Sequence, residues 1–332
     1  MCELELVDHS NGPLVSIVIP YYNRHDLLRL TLETVVRQTH SNFEVICVDD
    51  GSDDWSNAVA QEFADKDHRV KCVQQENHGC ASARNLGFKR SDPNSEFVIF
   101  LDSDDLWAET ALETLVRSAV EKSHVNIFYS IGTDIEHIDV NGALIVSALQ
   151  TEFNHVALFS RTYGENLSLE ACDQRPFLYM CTMNFFCSPG AVLLRRSILD
   201  ANGPFDESLK NCEDWDLWIR LTARYPIHSV RGRIFYYRKH NAGKSNDFKR
   251  MRFYINKIYE KLCSSDEMDD EQKQIVRKGR YNYYRFDALL CDDARRLAVA
   301  QGNLSFAFVM RLRALRRRLC ALETALRNKL VK

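Results

Sequence analysis

Along the first 130 residues, short unbroken apolar runs alternate with segments in which apolar residues recur every three or four positions. The run at 14–20, rich in Val and Ile and bounded by Pro13 and Pro20, has the makeup of a strand covered on both faces. Residues 26–38 follow with Leu27, Leu28, Leu32, Val35 and Val36 at helical spacing. The alternation continues with strands at 43–48, 70–74, 97–101 and 125–129 and helices at 56–64, 82–90 and 108–120. This order predicts a mainly parallel α/β sheet with helices on both faces. In such sheets ligands bind beyond the carboxyl ends of the strands. Two of those ends are acidic, Asp49-Asp50-Gly51-Ser52-Asp53-Asp54 and Asp102-Ser103-Asp104-Asp105.

After residue 130 the pattern changes. Asn141-Gly142, between 135–140 and 143–146, is a β-hairpin signal. Residues 150–190 are irregular and aromatic-rich, 190–194 and 234–237 resemble short strands, and 213–224 is a helix carrying Trp215, Leu217, Trp218 and Leu221. From Phe248 onward the chain reads as helical, which puts a boundary near residue 245. The last helix, 304–330, spaces Phe308, Leu312, Leu315, Leu319, Leu322 and Leu326 by fours and threes, adds Met310, and has Arg311, Arg313, Arg316, Arg317 and Arg318 between them. A basic amphipathic helix of this kind lies on an anionic membrane surface, packs on its own domain or pairs with another subunit.

Composition narrows the class. The 332 residues are 45% hydrophobic and 27% charged, enough for one large domain with an appendage or for two domains. A net charge of -3 speaks against nucleic acid as a partner of the whole chain. Its distribution is uneven: from Arg311 to Lys332 eight Lys or Arg accompany a single acid, Glu323. Eleven cysteines, with no CxxC pair and no zinc spacing, read as reduced thiols of the cytosol. Residues 1–10 lack the apolar core of a signal peptide, and no run approaches the ~20 apolar residues of a membrane span. The expectation is a cytoplasmic protein, with peripheral contact at the inner face of the membrane as its only membrane option.

Three carboxylates as close as Asp102, Asp104 and Asp105 repel one another unless a cation sits among them. Mg²⁺ or Mn²⁺ suits carboxylate and phosphate oxygens. The competing role is a turn leading into a helix cap, for which Asp is equally apt. The same two roles are open to the 49–54 stretch.

Six segments, taken together, resemble glycosyltransferase family 2. Val15-Ser16-Ile17-Val18-Ile19-Pro20-Tyr21-Tyr22-Asn23-Arg24 looks like its opening strand, and Val48-Asp49-Asp50-Gly51-Ser52 like its next motif. Asn77-His78-Gly79 with Ala83-Arg84-Asn85-Leu86-Gly87 resembles the third, and Leu101-Asp102-Ser103-Asp104-Asp105 its DxD motif. Gly203-Pro204-Phe205-Asp206-Glu207 with Glu213-Asp214-Trp215-Asp216-Leu217 resembles the acceptor-side motif, and Tyr237-Arg238-Lys239-His240 the closing element. The order and spacing also fit, over about residues 14–245.

The resemblance implies a GT-A fold (a Rossmann-like α/β nucleotide-diphospho-sugar transferase domain) at 14–245, with a nucleotide half at 14–130 and an acceptor half at 131–245. A tail at 1–13 precedes it and a C-terminal helical extension at 246–332 follows. It implies a nucleotide-sugar donor, most often a UDP-sugar, with Pro20, Tyr22 and Asn23 lining the nucleotide pocket and Asp49 or Asp50 at the uracil edge. Arg84 would help hold the nucleotide, and Asp102 and Ser103 would lie by the ribose and sugar. Asp104 would be the principal ligand of Mn²⁺ or Mg²⁺, His240 would complete the metal or diphosphate shell, and Asp214 would be the catalytic base. Each has a plainer alternative: Tyr22 as a core aromatic, Arg84 as a helix residue paired with an acid, His240 as a surface histidine, Asp214 as a helix N-cap. The implied reaction is inverting, non-processive transfer of a hexosyl or N-acetylhexosaminyl group to a saccharide, lipid-linked or protein-linked acceptor in glycan synthesis, since the Gln-x-x-Arg-Trp motif of processive members is missing. Two rivals remain, a nucleotidyltransferase that makes the nucleotide-sugar and a non-catalytic protein that keeps the fold.

Overall fold

Strands β1 (Val15–Tyr21) and β2 (Phe43–Asp49) are buried at every residue, as their unbroken apolar character requires. With β3 (Val70–Gln74) and β4 (Phe97–Phe100) they form a parallel set in the order β3-β2-β1-β4. Helices α1 (His25–Val36), α2 (Ser56–Lys66) and α3 (Cys80–Arg90) return the chain between them. Leu28 and Leu32 of α1 and Leu112 and Leu115 of α4 (Ala111–Glu121) share one core with Ile17, Ile19, Val45, Cys47 and Ile99 of the strands. The computed structural model describes residues 12–130, 136–143, 176–240, 247–300 and 304–330.

Strand order reverses at β1, which lies between β2 and β4. The crevice beyond the carboxyl ends of those strands is the topological switch point where open α/β sheets bind ligands. The sheet continues through β8 (Val192–Arg195), antiparallel to β4 and to β6 (Ile127–Ser130), and ends in β9 (Ile227–Val230), parallel to β6. A smaller sheet joins β5 (Leu106–Trp107), β10 (Phe235–Arg238) and β7 (Glu136–Ile138), with β10 central. The mainly parallel α/β sheet read from the sequence is therefore present.

Some details differ. Helix α4 starts at Ala111, not at residue 108; the Ala108 N–H instead bonds the Ile234 carbonyl beside β10, and a turn closed by Ala111 N–H on the Ala108 carbonyl precedes the helix. The Asn141-Gly142 turn closes by a bond from Asp139 N–H to the Ala143 carbonyl, while β7 pairs with β10 and the expected second strand, 143–146, falls mostly outside the described residues. Within 150–190, read as irregular, Pro176–Thr182 forms helix α5. Helix α6 (Arg196–Asn202) follows β8 and α7 (Glu213–Thr222) precedes β9.

The chain divides into two compact units, Met1–Gln150 with Phe186–Met251 and Thr151–Phe185 with Arg252–Lys332. The stretch 176–185, placed by the motif reading with the acceptor half, groups with the later helices. Those are α8 (Phe248–Ser264), α9 (Asp270–Ala300) and α10 (Leu304–Leu330). In this unit α9 lies close on α5, where a Cβ at Gly279 would fall 2.3 Å from Cys181 Cβ. The Tyr259 hydroxyl donates to the Cys181 carbonyl at 2.5 Å. No helix among the described residues is long and apolar enough to cross a membrane.

Candidate active site

The site is built on the strand ends at the switch point. Pro20 is still within β1, paired with Val48, and Tyr22 just beyond it is 46% exposed, so it is not a core aromatic. Asn23 holds a left-handed φ of 50°. Its side chain donates to Asp53 Oδ1 at 2.6 Å and accepts from Asp53 N–H at 3.1 Å, and its own N–H reaches the Ser52 hydroxyl at 3.1 Å. The loop after β1 is thereby tied to the loop after β2.

Asp49 and Asp50 are both buried and both accept hydrogen bonds within that loop region. Asp49 accepts from Ser52 N–H at 2.9 Å and from the Gln74 amide at 3.3 Å. Asp50 accepts from the Gln75 amide at 2.7 Å and from the N–H groups of His78 and Gly79, both at 2.9 Å. It thus pins the segment that opens α3.

The acidic stretch after β4 is held differently. Its three carboxylates, Asp102, Asp104 and Asp105, each offer an oxygen within 4.8 Å of the others, and Ser103 is buried between them in the chain. Asp105 is fully enclosed. It accepts from the Ser188 hydroxyl and from Arg238 N–H, both at 3.0 Å, and burial and the charges of its neighbours push its carboxyl well upward. Because Arg238 closes β10, Asp105 fastens the strand that delivers His240, whose Nε2 lies 2.8 Å from Asp104 Oδ2. His240, read as either ligand or surface histidine, is packed against the acidic cluster with a 7% exposed side chain. Asp102 meets Arg84 NH2 at 2.6 Å. Burial raises its carboxyl, Arg84 opposes the rise and Asp104 adds to it.

Arg84 lies on α3, which approaches the sheet so closely that a Cβ on Gly87 would come within 2.3 Å of Val18 Cγ1. That approach leads the guanidinium to the strand ends, where it is buried. One nitrogen holds Asp102, the other holds Glu213 Oε1 at 2.9 Å, and the group stacks 5.0 Å over the Phe205 ring. Asn85, next on α3, binds Phe205 in both directions, donating to its carbonyl at 2.9 Å and accepting its N–H at 3.0 Å. The third and fifth sequence motifs are thus bolted together.

Glu213 and Asp214 open α7, whose N-cap position belongs to Cys212, so Asp214 is a first-turn residue and not the cap. Its carboxyl is pushed up to about 6, first by withdrawal from water and then by the charge of Glu213, with Arg84 and the Trp215 N–H pulling the other way. Asp102 contributes to the same rise, so the end of β4 and the start of α7 share one electrostatic site. Among the described residues the three non-glycine positions with positive φ are Asn23, Cys187 and Cys212. Asn23 lies two residues beyond β1, Cys187 precedes the Ser188 that holds Asp105, and Cys212 precedes Glu213. Backbone strain of this kind gathers where surrounding structure enforces a functional geometry.

The donor set suits a hard divalent ion. Asp104 makes one hydrogen bond through one oxygen, Asp102 keeps an oxygen beside its Arg84 contact, and burial, with like charges after it, raises the carboxyls of Asp102 and Asp105. Asp105, with both oxygens engaged, is the weakest ligand candidate of the three. Sequence reasoning gave no role to Glu213 or Ser188, and took Asp105 only as part of the acidic cluster. The doubled acid Glu213-Asp214 was the available signal for the first, since a buried Arg84 needs more than one counter-charge. Ser188 gave none.

The profile of Glycosyl transferase family 2 matches residues 16–202. An uncharacterized glycosyltransferase of Rickettsia typhi is 29% identical over 285 residues, 84% of this chain and 80% of its own length. Another, from Rickettsia bellii, is 33% identical over 63% of this chain, and glycosyltransferase GlyA of Streptococcus pneumoniae is 38% identical over 32%. The matched parts are only 26% and 15% of the lengths of those two relatives. Among solved structures, S. aureus TarS residues 1–349 in complex with UDP-GlcNAc superposes with a TM-score of 0.56, 16% identity and 90% coverage of each chain. The mannosyltransferase PcManGT of Pyrobaculum calidifontis in complex with GDP-Man and Mn²⁺ gives 0.60, 15% identity, and coverage of 95% of this chain and 88% of its own. These likenesses bear out the GT-A fold. By the match over more than half its length, this chain belongs to glycosyltransferase family 2.

Proposed function

We propose that this protein transfers a sugar from a nucleotide-sugar to an acceptor hydroxyl by a single displacement, with inversion at the anomeric carbon. The observation that carries the reading is the Arg84 bridge. It joins the acidic end of β4 to the first turn of α7, where Asp214 has a carboxyl poised near neutrality. A base works best when its pKa lies near the operating pH. Nucleotide-sugars bound to TarS and PcManGT support that donor class, and the family resemblance favours UDP.

In this reading Tyr22 offers its exposed ring to the base and Asn23 fixes the loop beneath it. Asp102 and Ser103 border the ribose and sugar. Asp104 with His240, helped by Asp102, would hold Mn²⁺ or Mg²⁺, whose chemistry is to neutralise charge on the departing diphosphate. Asp214 accepts the proton of the acceptor hydroxyl as its oxygen bonds to the anomeric carbon. The bond from that carbon to the diphosphate breaks, and its electron pair leaves with the nucleoside diphosphate. Arg84 keeps Asp102 and Glu213 at fixed separation and is a positioning residue.

A donor screen that reads nucleoside diphosphate release, with the anomeric configuration of the product followed by NMR, tests the proposal. The expected result is nucleoside diphosphate and an inverted glycoside. Pyrophosphate release would point to a nucleotidyltransferase, and donor binding without turnover for any acceptor class to a binding protein.

A further inference from the structure

Helix α10 has two unlike faces. Ala307, Met310, Ala314 and Ala321 are buried, and Arg317 on the same side reaches Asp287 of α9 at 2.5 Å. The small residues let α9 and α10 run side by side. The opposite face is also apolar but open. Phe308, Leu312, Leu315, Leu319, Leu322 and Leu326 recur at spacings of four and three, and each is 51–62% exposed. At ~1.5 Å rise per residue the stripe is about 27 Å long. Turning ~100° per residue places Arg311 and Arg318 along one edge and Arg316 along the other, and all three are exposed. Arg318 additionally pairs with Asp292 of α9.

We propose that this stripe docks on the surface of a bilayer rich in anionic lipid, with its leucines at the acyl boundary and the flanking guanidiniums among the phosphates. The repeat by itself would equally serve a coiled coil with a second copy. Charge decides between them. In a parallel pair Arg311 would face Arg316 of the other copy, while Arg318, which would face Glu323, is already paired with Asp292; in the antiparallel pairing that sets Leu315 opposite Leu319, Arg316 and Arg318 would each face their own counterparts. Of the eight cations between residues 311 and 332, Arg317 and Arg318 pair with carboxylates of α9; the other six, against one acid, repel a copy of themselves and attract lipid phosphate. The helix is not apolar enough to span, so it rests in the interface plane.

Sedimentation of the full chain with vesicles of phosphatidylcholine, alone or mixed with phosphatidylglycerol, provides the test. The chain should sediment with the mixed vesicles, and binding should fall at least ~10-fold on neutral vesicles or in ~0.5 M salt. The variant Leu315→Glu/Leu319→Glu/Leu322→Glu, at exposed positions, should keep its circular dichroism and lose binding. Arg311→Gln/Arg316→Gln should lower binding to anionic vesicles alone and carries the test should the first variant not fold. Equal sedimentation of wild type and variants, or no binding to anionic vesicles, overturns the proposal. So does a dimer in sedimentation velocity without lipid that the leucine substitutions abolish.

Discussion

The two acidic strand ends look alike as text and behave differently as structure. After β2, Asp49 and Asp50 accept hydrogen bonds from neutral groups of their own and the neighbouring loops, which make a turn and pin the start of α3. After β4, Asp102 and Asp104 are met by Arg84 and His240, from 18 and 136 positions away in the chain. A carboxylate satisfied by neutral N–H groups supports a loop. One that meets an arginine while burial drives its pKa up, as at Asp102, is in the state that marks a functional site.

The sharpest way to break that contrast acts through Asp214, which shares the β4 site by way of Arg84. Asp214→Asn should cut the transfer rate by ~10²–10⁴-fold while donor affinity, measured by calorimetry, stays within about twofold. Because the folded carboxyl sits near 6, above the ~4 of an unfolded chain, the fold disfavours its ionisation. Stability is greatest below the unfolded value and is lost as pH rises through the folded one. The same substitution should therefore raise Tm at pH 7, an outcome that a merely structural Asp214 would reverse.

Asp104→Ala comes next. It should weaken metal-dependent donor binding by at least ~10–100-fold, and the metal-dependence of the donor titration should vanish with it. A smaller effect is expected of pH. The base works as the carboxylate, so kcat should fall about tenfold between pH 7 and pH 5, and Asp214→Asn should flatten that limb. Smallest in activity is Asp50→Asn. It disturbs three hydrogen bonds to a buried carboxylate and should cost about 1–3 kcal/mol in denaturant unfolding with KM little changed. A large rise in KM there, with stability intact, would mean that the two acidic ends are alike after all.

Much of this was legible in advance because the parallel strands are buried on both faces and so write themselves as unbroken apolar runs. Strands β1 to β4 and helices α1 to α3 lie within a few residues of their expected positions. Strand β5 has only two residues, and β9, Ile-His-Ser-Val, has a half-open pattern with no apolar run. Helix α6, at seven residues, is too short to show a period. These exist because partners pair with them, which no local pattern records. The site divides in the same way. Asp102, Asp104 and Asp214 stand in motifs that suggest their roles, whereas what Asp105 does rests on a bond to Ser188 across 83 positions.

The Asn85 amide engages the peptide group of Phe205, not its ring. The same amide also donates to Glu207 Oε1 at 2.9 Å, and Arg84 lies over the Phe205 ring. The loop at 203–207 is therefore moored twice, by its main chain and by two of its side chains, so exchanging residue 205 or 207 would slacken the mooring while the peptide clasp still ties the loop to the helix that carries Arg84.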